Sequence, residues 1–290
     1  MKKQVSDNMI FFQKVESTEP MPCKICNVSS YLYDVVDFGK FCSQSDYYLY
    51  GLSGIPIYYR KCGNCGLIFT TAFDSLDREG FTDLIYNEEY LKYDPDYAED
   101  RPKQNANFLD DFLFPIKSLV KGLDYGSGNG LTTSILNAKG WDFSACDPIN
   151  NSIPVSDLFC DFNIITAFEV FEHMPFPFLG MKDLVSYAAS DCLLIVGTQA
   201  TDNQVEDSRL NWWYAGPRNG HVTLYSKESI RLLFGMFGFS FVSINSSLHI
   251  GVRGNVPEPI LKKFAKTDAP VEKRVTGRKI IRWLMRRFFR

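Results

Sequence analysis

The chain has 290 residues, 45% of them hydrophobic and 22% charged, with 24 Phe and 15 Tyr; that suffices for about two packed domains and excludes global disorder. A net charge of -3 excludes a general polyanion binder, so nucleic acid is not an expected partner. The average conceals an asymmetry: Glu258–Arg290 carries 11 Lys/Arg against 3 Asp/Glu, a local +8 that leaves -11 on the rest. No apolar run approaches the ~20 residues of a membrane span. Asp7 and Asn8 stand where a signal peptide needs apolar residues. The expectation is a cytoplasmic protein whose eight cysteines are thiols or metal ligands rather than disulfides.

In chain order, residues 1–20 read as a flexible lead-in. Residues 21–73 hold Cys23-x-x-Cys26 and Cys62-x-x-Cys65, separated by 35 residues, with β-type runs Ile57-Tyr58-Tyr59 and Leu67-Ile68-Phe69. Each pair can grip one edge of a cation, and four thiolates make a tetrahedral zinc site. Gly63 and Gly66 permit a tight turn at the second pair. A redox dithiol is the rival, but two matched pairs favour metal, and few basic residues lie between them. The module reads as a zinc-ribbon scaffold or substrate-side wall. Cys42, Cys146, Cys160 and Cys192 fit no pairing and read as buried thiols.

Residues 74–118 form a helical connector of two or three short helices, punctuated by Pro95, Pro102 and Pro115. From residue 119 short apolar runs alternate with helical patterns, as a parallel sheet with crossovers requires. Strands are predicted at 120–124, 143–147, 162–168 and 192–198, and helices at 130–139, 178–189 and 227–237. Runs 239–246 and 248–253 read as an antiparallel hairpin closing the sheet. The expected division is thus a core domain at 119–254 and a basic tail at 255–290 with a helix over 278–290.

The first predicted strand runs into Asp124-Tyr125-Gly126-Ser127-Gly128-Asn129-Gly130 and then a helix. Glycines there allow a sharp turn and let a ligand approach bare backbone. Leu131 stands where a dinucleotide fingerprint wants its third Gly, and no Gly-Lys-Ser/Thr follows, which excludes a triphosphate loop. Asp147 ends the second strand 17 residues after Gly130. A carboxylate at that tip can accept both hydroxyls of a ribose.

Asp124-x-Gly126-x-Gly128-x-Gly130, Asp147 and Phe168-Glu169-Val170-Phe171-Glu172-His173 together resemble a class I S-adenosylmethionine-dependent methyltransferase. The resemblance spans about residues 119–254 and is nearest to small enzymes of sugar and polysaccharide pathways, a subset of which carries a Cys-paired front module. It implies a Rossmann-like, seven-stranded α/β sheet with the last strand antiparallel. It also implies cofactor contacts from Asp124, Gly126, Gly128, Gly130, Asp147, Phe168 and Glu169. One departure stands out: about 15 residues separate Asp147 from the next strand, so a helix and strand are missing or shortened there.

Glu169, Glu172 and His173 follow the fourth strand, where such a cluster can position substrate or hold a divalent cation. His221, in Pro217-Arg218-Asn219-Gly220-His221, is the expected general base, with His173 and Glu172 as companions and His249 structural. In the sugar C-methyltransferases that this loop resembles, a Glu precedes the His; Gly220 here favours transfer to oxygen. Trp212, Trp213 and Tyr214 read as a substrate wall, and Tyr86, Tyr90, Tyr93 and Tyr97 as either a facing wall or core. In the tail, Arg278, Arg282 and Arg286 oppose Ile281, Leu284 and Phe288. That pattern suits equally an anionic membrane surface, at the inner face, or a docking surface for a partner protein.

The function expected is O-methylation of a sugar-containing acceptor in surface polysaccharide or glycan biosynthesis. The alternatives are a nucleotide-sugar C- or N-methyltransferase and a zinc-scaffolded adaptor with a catalytically dead fold.

Overall fold

The computed structural model describes residues 18–149, 161–255, 257 and 259–260. Cys160, most of the lead-in and the basic segment 278–290 lie outside the described residues. In chain order the strands are β1 (Met21–Pro22), β2 (Ser29–Asp37), β3 (Pro56–Cys62), β4 (Ile68–Thr70), β5 (Gly122–Tyr125), β6 (Phe143–Cys146), β7 (Phe162–Phe168), β8 (Ala188–Gly197), β9 (Thr223–Leu224), β10 (Ser240–Ser243) and β11 (Leu248–Arg253). The helices are α1 (Arg78–Leu84), α2 (Tyr90–Tyr93), α3 (Asp100–Leu113), α4 (Leu131–Ala138), α5 (Pro177–Ser186) and α6 (Lys227–Met236). No helix among the described residues is long and apolar enough to cross a membrane.

The chain forms two compact units that cut across the expected linear division. The first is Met1–Ala98, Glu169–Gly180 and Thr198–Leu232, and the second is Glu99–Phe168, Met181–Gly197 and Leu233–Arg290. Two excursions of the later chain join the N-terminal residues because their backbone hydrogen bonds are made there.

The second unit is a six-stranded sheet of order β10-β11-β8-β7-β5-β6. β6, β5, β7 and β8 run parallel, β11 is antiparallel to β8, and β10 closes the edge as the expected hairpin. The parallel strands read as continuous apolar runs because both faces are covered. Leu123, Ile165 and Leu194 are fully buried. On α3, Ala106, Leu109 and Leu113 follow a helical spacing and join Ile116, Leu136, Trp141, Ile164, Ile195 and Ile250 in one core. Six strands are described where the resemblance implies seven, and residues 150–160, between β6 and β7, lie outside the described residues. The helix expected over 178–189 stops at Ser186, because Ala188 already pairs with Phe162 and extends β8 four residues earlier than the pattern suggested.

The first unit is a five-stranded antiparallel sheet, β1-β2-β3-β4-β9. Both cysteine pairs sit at hairpin turns. At the first, Cys23 N–H donates to Val28 O at 2.9 Å and Asn27 takes the left-handed conformation (φ 60°). At the second, Cys62 N–H donates to Leu67 O at 2.9 Å and Gly66 supplies the left-handed residue (φ 71°). Of the two glycines expected to permit this turn, only Gly66 has positive φ. β9, just two residues long, pairs with β4 through Ile68–Leu224 and Phe69–Thr223. This pairing brings His221 to the cysteine-bearing sheet: Tyr59 OH donates to His221 O at 2.7 Å and Thr70 N–H to Val222 O at 3.0 Å. Ser226 Oγ also donates to Cys65 O.

Candidate functional site

In the second unit, β5 delivers the chain into Gly126, Gly128 and Gly130, with φ of 77°, 56° and 74°, a path closed to most side chains. The loop is tied to the end of β6. Gly126 N–H donates to Cys146 O and Gly128 N–H to Asp147 Oδ2, both at 2.7 Å. Asp147 Oδ1 accepts Ile149 N–H at 2.8 Å. Asp124 is buried beneath the loop and accepts Thr166 Oγ at 2.7 Å. Burial pushes its pKa up to about 6; the Thr166 hydrogen bond opposes that shift and the charge of Asp147 adds to it. Phe168 closes β7, meeting Phe108 edge-on at 6.2 Å.

The first unit holds the acid–histidine cluster. β7 ends at Phe168 and the chain turns at once through Glu169, a non-glycine residue at φ 53°, into a short 3-10 turn, Phe171–His173. The ligand atoms of Glu172, His173 and His221 all lie within 4.8 Å of one another. The imidazole rings of His173 and His221 meet nearly perpendicular, with centroids 4.9 Å apart. The set expected to face a divalent cation was Glu169, Glu172 and His173; the set brought together is Glu172, His173 and His221. The cause is the β4–β9 pairing, which delivers the His221 loop to the turn after β7.

Two neighbours set the chemistry of this cluster. Tyr214 OH donates to Glu172 Oε1, and Tyr214 O lies 2.7 Å from His221 Nδ1. A carbonyl only accepts, so Nδ1 carries the proton and Nε2 carries the lone pair. Burial, reinforced by the charges of Glu169 and Glu172, pushes the Tyr214 phenol well above its ordinary value, so it stays a donor. Cys42 Sγ sits 3.5 Å from His221 Nδ1, and burial raises its pKa well above the usual thiol value. Gly220 has φ 87°, and a Cβ there would stand 3.1 Å from His173 Nδ1.

The aromatic wall expected from Trp212, Trp213 and Tyr214 is corrected in part. Trp212 and Tyr214 are buried, at 4% and 1% exposure, and Tyr214 orients Glu172 and His221 instead of facing solvent. Lys40 fixes that loop: its buried Nζ donates to Trp212 O at 2.8 Å and Ala215 O at 2.7 Å. Tyr86 lies 6.0 Å from His173, and Tyr90 packs on Tyr86 and Tyr97 at 4.8 and 5.1 Å. His249 is buried in the second unit with Nδ1 3.1 Å from Ser243 Oγ, a structural placement. Cys42, Lys40 and Thr166 were not read as site residues in the sequence, and Tyr214 was read only as part of a substrate wall; none stands in a motif, and folding gives them these roles.

The four paired cysteines converge in the same unit. Cys23 Sγ–Cys65 Sγ is 3.6 Å and Cys26 Sγ–Cys62 Sγ is 3.5 Å. Tetrahedral thiolates about 2.3 Å from zinc stand about 3.8 Å apart, whereas a disulfide closes to about 2 Å. Ile25 N–H and Asn64 N–H point at Cys23 and Cys62 sulfur at 3.5 and 3.4 Å, stabilising thiolate charge. A hydrogen bond from Cys65 holds Cys23 down at about 5, against the opposing effect of burial. The donor set fits a four-thiolate cation.

A family model described as a methyltransferase domain matches residues 97–244, about half of the chain. Among solved structures, the chain is similar to the plantazolicin methyltransferase BpumL bound to S-adenosylhomocysteine, with 9% identity over 61% of this chain and 95% of that one and a TM-score of 0.44. It is similar also to magnesium protoporphyrin IX methyltransferase from Synechocystis PCC 6803, with 12% identity, 62% and 99% coverage and a TM-score of 0.43. A third is the 1,6-didemethyltoxoflavin-N1-methyltransferase of Burkholderia thailandensis, with 14% identity, 61% and 87% coverage and a TM-score of 0.43. No curated protein matches the chain in sequence. The chain belongs to this methyltransferase-domain family and is a class I, S-adenosylmethionine-dependent methyltransferase.

Proposed function

We propose that the enzyme transfers the cofactor's methyl group to a hydroxyl oxygen of a sugar-containing acceptor in surface polysaccharide or glycan assembly. The second unit binds S-adenosylmethionine. Its loop glycines lie along the methionine portion and Asp147 accepts from the ribose hydroxyls. Glu172, His173 and His221 activate the acceptor. One observation carries the reading: a buried imidazole, His221, hydrogen-bonded through Nδ1 to Tyr214 O and gathered with Glu172 and His173 so that their ligand atoms lie within 4.8 Å of one another. Gly220 supports oxygen over carbon as the target. A Glu at that position would add the second carboxylate that carbanion chemistry needs, but φ 87° and the 3.1 Å approach to His173 oppose any side chain. The sugar class is supported by the sequence resemblance and by the tyrosines packed near His173. Four thiolates holding zinc would keep the first unit folded around His221, in a compartment where thiols stay reduced. The basic segment 278–290 is assigned to an anionic membrane surface on charge alone.

The test is a methyl-transfer assay across a panel of nucleotide sugars and glycans. His221→Ala should cut turnover by about 100- to 10,000-fold, the usual worth of an activating group. Cofactor affinity should stay within a few fold, because the donor contacts lie in the other unit. A variant that keeps most of its activity removes His221 from the chemistry. Methyl appearing only on carbon or nitrogen removes the hydroxyl acceptor.

A further inference from the structure

We propose that Glu172, His173 and His221 form a divalent-cation site, distinct from the four-cysteine centre, through which the enzyme activates its acceptor. The role assigned to the cation rests on the hydroxyl-transfer reading; the existence of the site does not.

The three ligand atoms lie within 4.8 Å of one another and consist of one carboxylate oxygen and two imidazole nitrogens. Two imidazoles and one carboxylate on one side of an ion, with the remaining positions open, form a donor set suited to Mn, Fe, Co and Zn. Donors about 2.1 Å from an ion stand about 3–4 Å apart, so the side chains need to close by less than about 2 Å.

A second observation points independently to a cation. Glu172 is fully buried, at 0% exposure. Its Oε1 accepts the Tyr214 phenol, while Oε2 has no hydrogen-bond partner among the described residues. A buried carboxylate oxygen is costly unless a donor or cation completes it. Lys40, the buried ammonium of this unit, is committed to the carbonyls of Trp212 and Ala215. Arg218 is committed to Ile85 O and Asn87 Oδ1, both at 3.2 Å, and stacks over Tyr93.

The surroundings also have the form of a metal's outer shell. Ligating histidines characteristically donate their other ring N–H to a carbonyl, which fixes the tautomer and raises the basicity of the ligating nitrogen. His221 Nδ1 does this to Tyr214 O, and the phenol of the same residue orients Glu172. Tyr214 is therefore a positioning residue for two ligands at once. Gly220 keeps the space beside His173 clear.

A hydroxyl bound at an open position acquires a pKa near neutrality, as metal-bound water does, and releases its proton to solvent. The metal-held alkoxide then attacks the sulfonium methyl. The O–C bond forms as the S–C bond breaks, and sulfur keeps the electron pair and leaves as S-adenosylhomocysteine.

The test uses the full chain with its four-cysteine centre loaded, titrated with Mn²⁺ in the absence of donor and acceptor. Mn²⁺ stands low in the affinity order and does not displace a thiolate-bound zinc. Free Mn²⁺ is followed by electron paramagnetic resonance, and pulsed spectra of the bound ion are read for nitrogen coupling. One Mn²⁺ per chain with coupling to two imidazole nitrogens is expected. Glu172→Gln should weaken binding by at least about 10-fold and Tyr214→Phe by about 10- to 100-fold, as outer-shell changes do. Each variant must keep wild-type hydrogen-exchange protection in β3, β4 and β9 to count as folded; where one does not, the wild-type nitrogen coupling decides alone. Mn²⁺ bound without imidazole coupling, or equally by wild type and a folded Glu172→Gln, overturns the site. Undiminished hydroxyl methylation in chelator that leaves the four-cysteine centre loaded overturns its role. A coupled Mn²⁺ site in a protein that methylates no hydroxyl keeps the site and removes the function proposed above.

Discussion

The two units follow different rules of construction. The second is assembled from neighbours in sequence: β5-α4-β6 and β7-α5-β8 are crossovers, and β10-β11 is a hairpin. Both units draw on three segments of the chain, but the first is stitched closed by pairing strands far apart in sequence, β4 and β9, and β9 contributes two residues. The first unit's cohesion is therefore expected to depend on a cation that clamps Cys23, Cys26, Cys62 and Cys65, whereas the second unit relies on its continuous apolar core. On the function proposed above, the donor is bound by the self-sufficient unit and the acceptor activated by the stitched one. Cofactor binding and activation should therefore respond to different insults.

The largest effect should come from removing the four-thiolate cation, because binding at such a site is worth about 10–16 kcal/mol and is also folding energy. Chelation should abolish hydrogen-exchange protection in β3, β4 and β9 and stop methyl transfer, while β5, β7 and β8 stay protected and S-adenosylmethionine still binds. Equal loss of protection in both units would break the comparison, as would a protein purified without chelators that contains no zinc.

The next largest effect should be at Asp147. Replacing it with Ala removes charge-assisted hydrogen bonds worth about 1.5–3 kcal/mol and should weaken cofactor binding by roughly 10- to 100-fold. Exchange protection in the first unit should not change. Calorimetry showing wild-type affinity would remove Asp147 from the donor site.

The smallest effect concerns Asp124. Its folded pKa of about 6 lies above the unfolded value of 3.8, so the folded state holds the proton more tightly. The stability contributed by that proton is fully present below about pH 4 and is lost as pH rises through about 6. Asp124→Asn should therefore stabilise the donor-free protein at pH 8 by about 1–3 kcal/mol and flatten the wild-type decline between pH 4 and 7. Thermal melts that keep the wild-type slope would place the buried charge elsewhere.

The sequence reveals the second unit well because its signals are local. The glycines, Asp147 and the strand periodicity of β5 to β8 each act within a few residues of themselves. Both Cys-x-x-Cys pairs are legible for the same reason. The acid–histidine cluster is legible only in its parts: Glu172, His173 and His221 stand out singly, but their meeting with Cys42 and Tyr214 depends on a two-residue strand pairing that no periodicity signals. Tyr214 shows the cost: in sequence it belongs with Trp212 and Trp213 as an aromatic surface, while in the fold its phenol and its carbonyl are both spent on other side chains. A linear division at residue 73 cannot express this, since the sheet that starts at Met21 takes its last strand from Thr223–Leu224.

Lys40 makes the stitched unit a candidate for chemical timing. Burial lowers its pKa to about 8, so at mildly alkaline pH much of it is the neutral amine, the nucleophilic form. That amine still has two N–H bonds for the carbonyls of Trp212 and Ala215, so the strut survives deprotonation. Because the folded pKa is below the unfolded one, the residue's contribution to stability rises as pH passes from about 8 towards 10.5. Its exposure is 0%, so an acylating reagent can reach it only when the packing around it opens. The rate at which Lys40 is labelled then measures how often that packing opens, and, on the function proposed above, a bound acceptor should slow that clock.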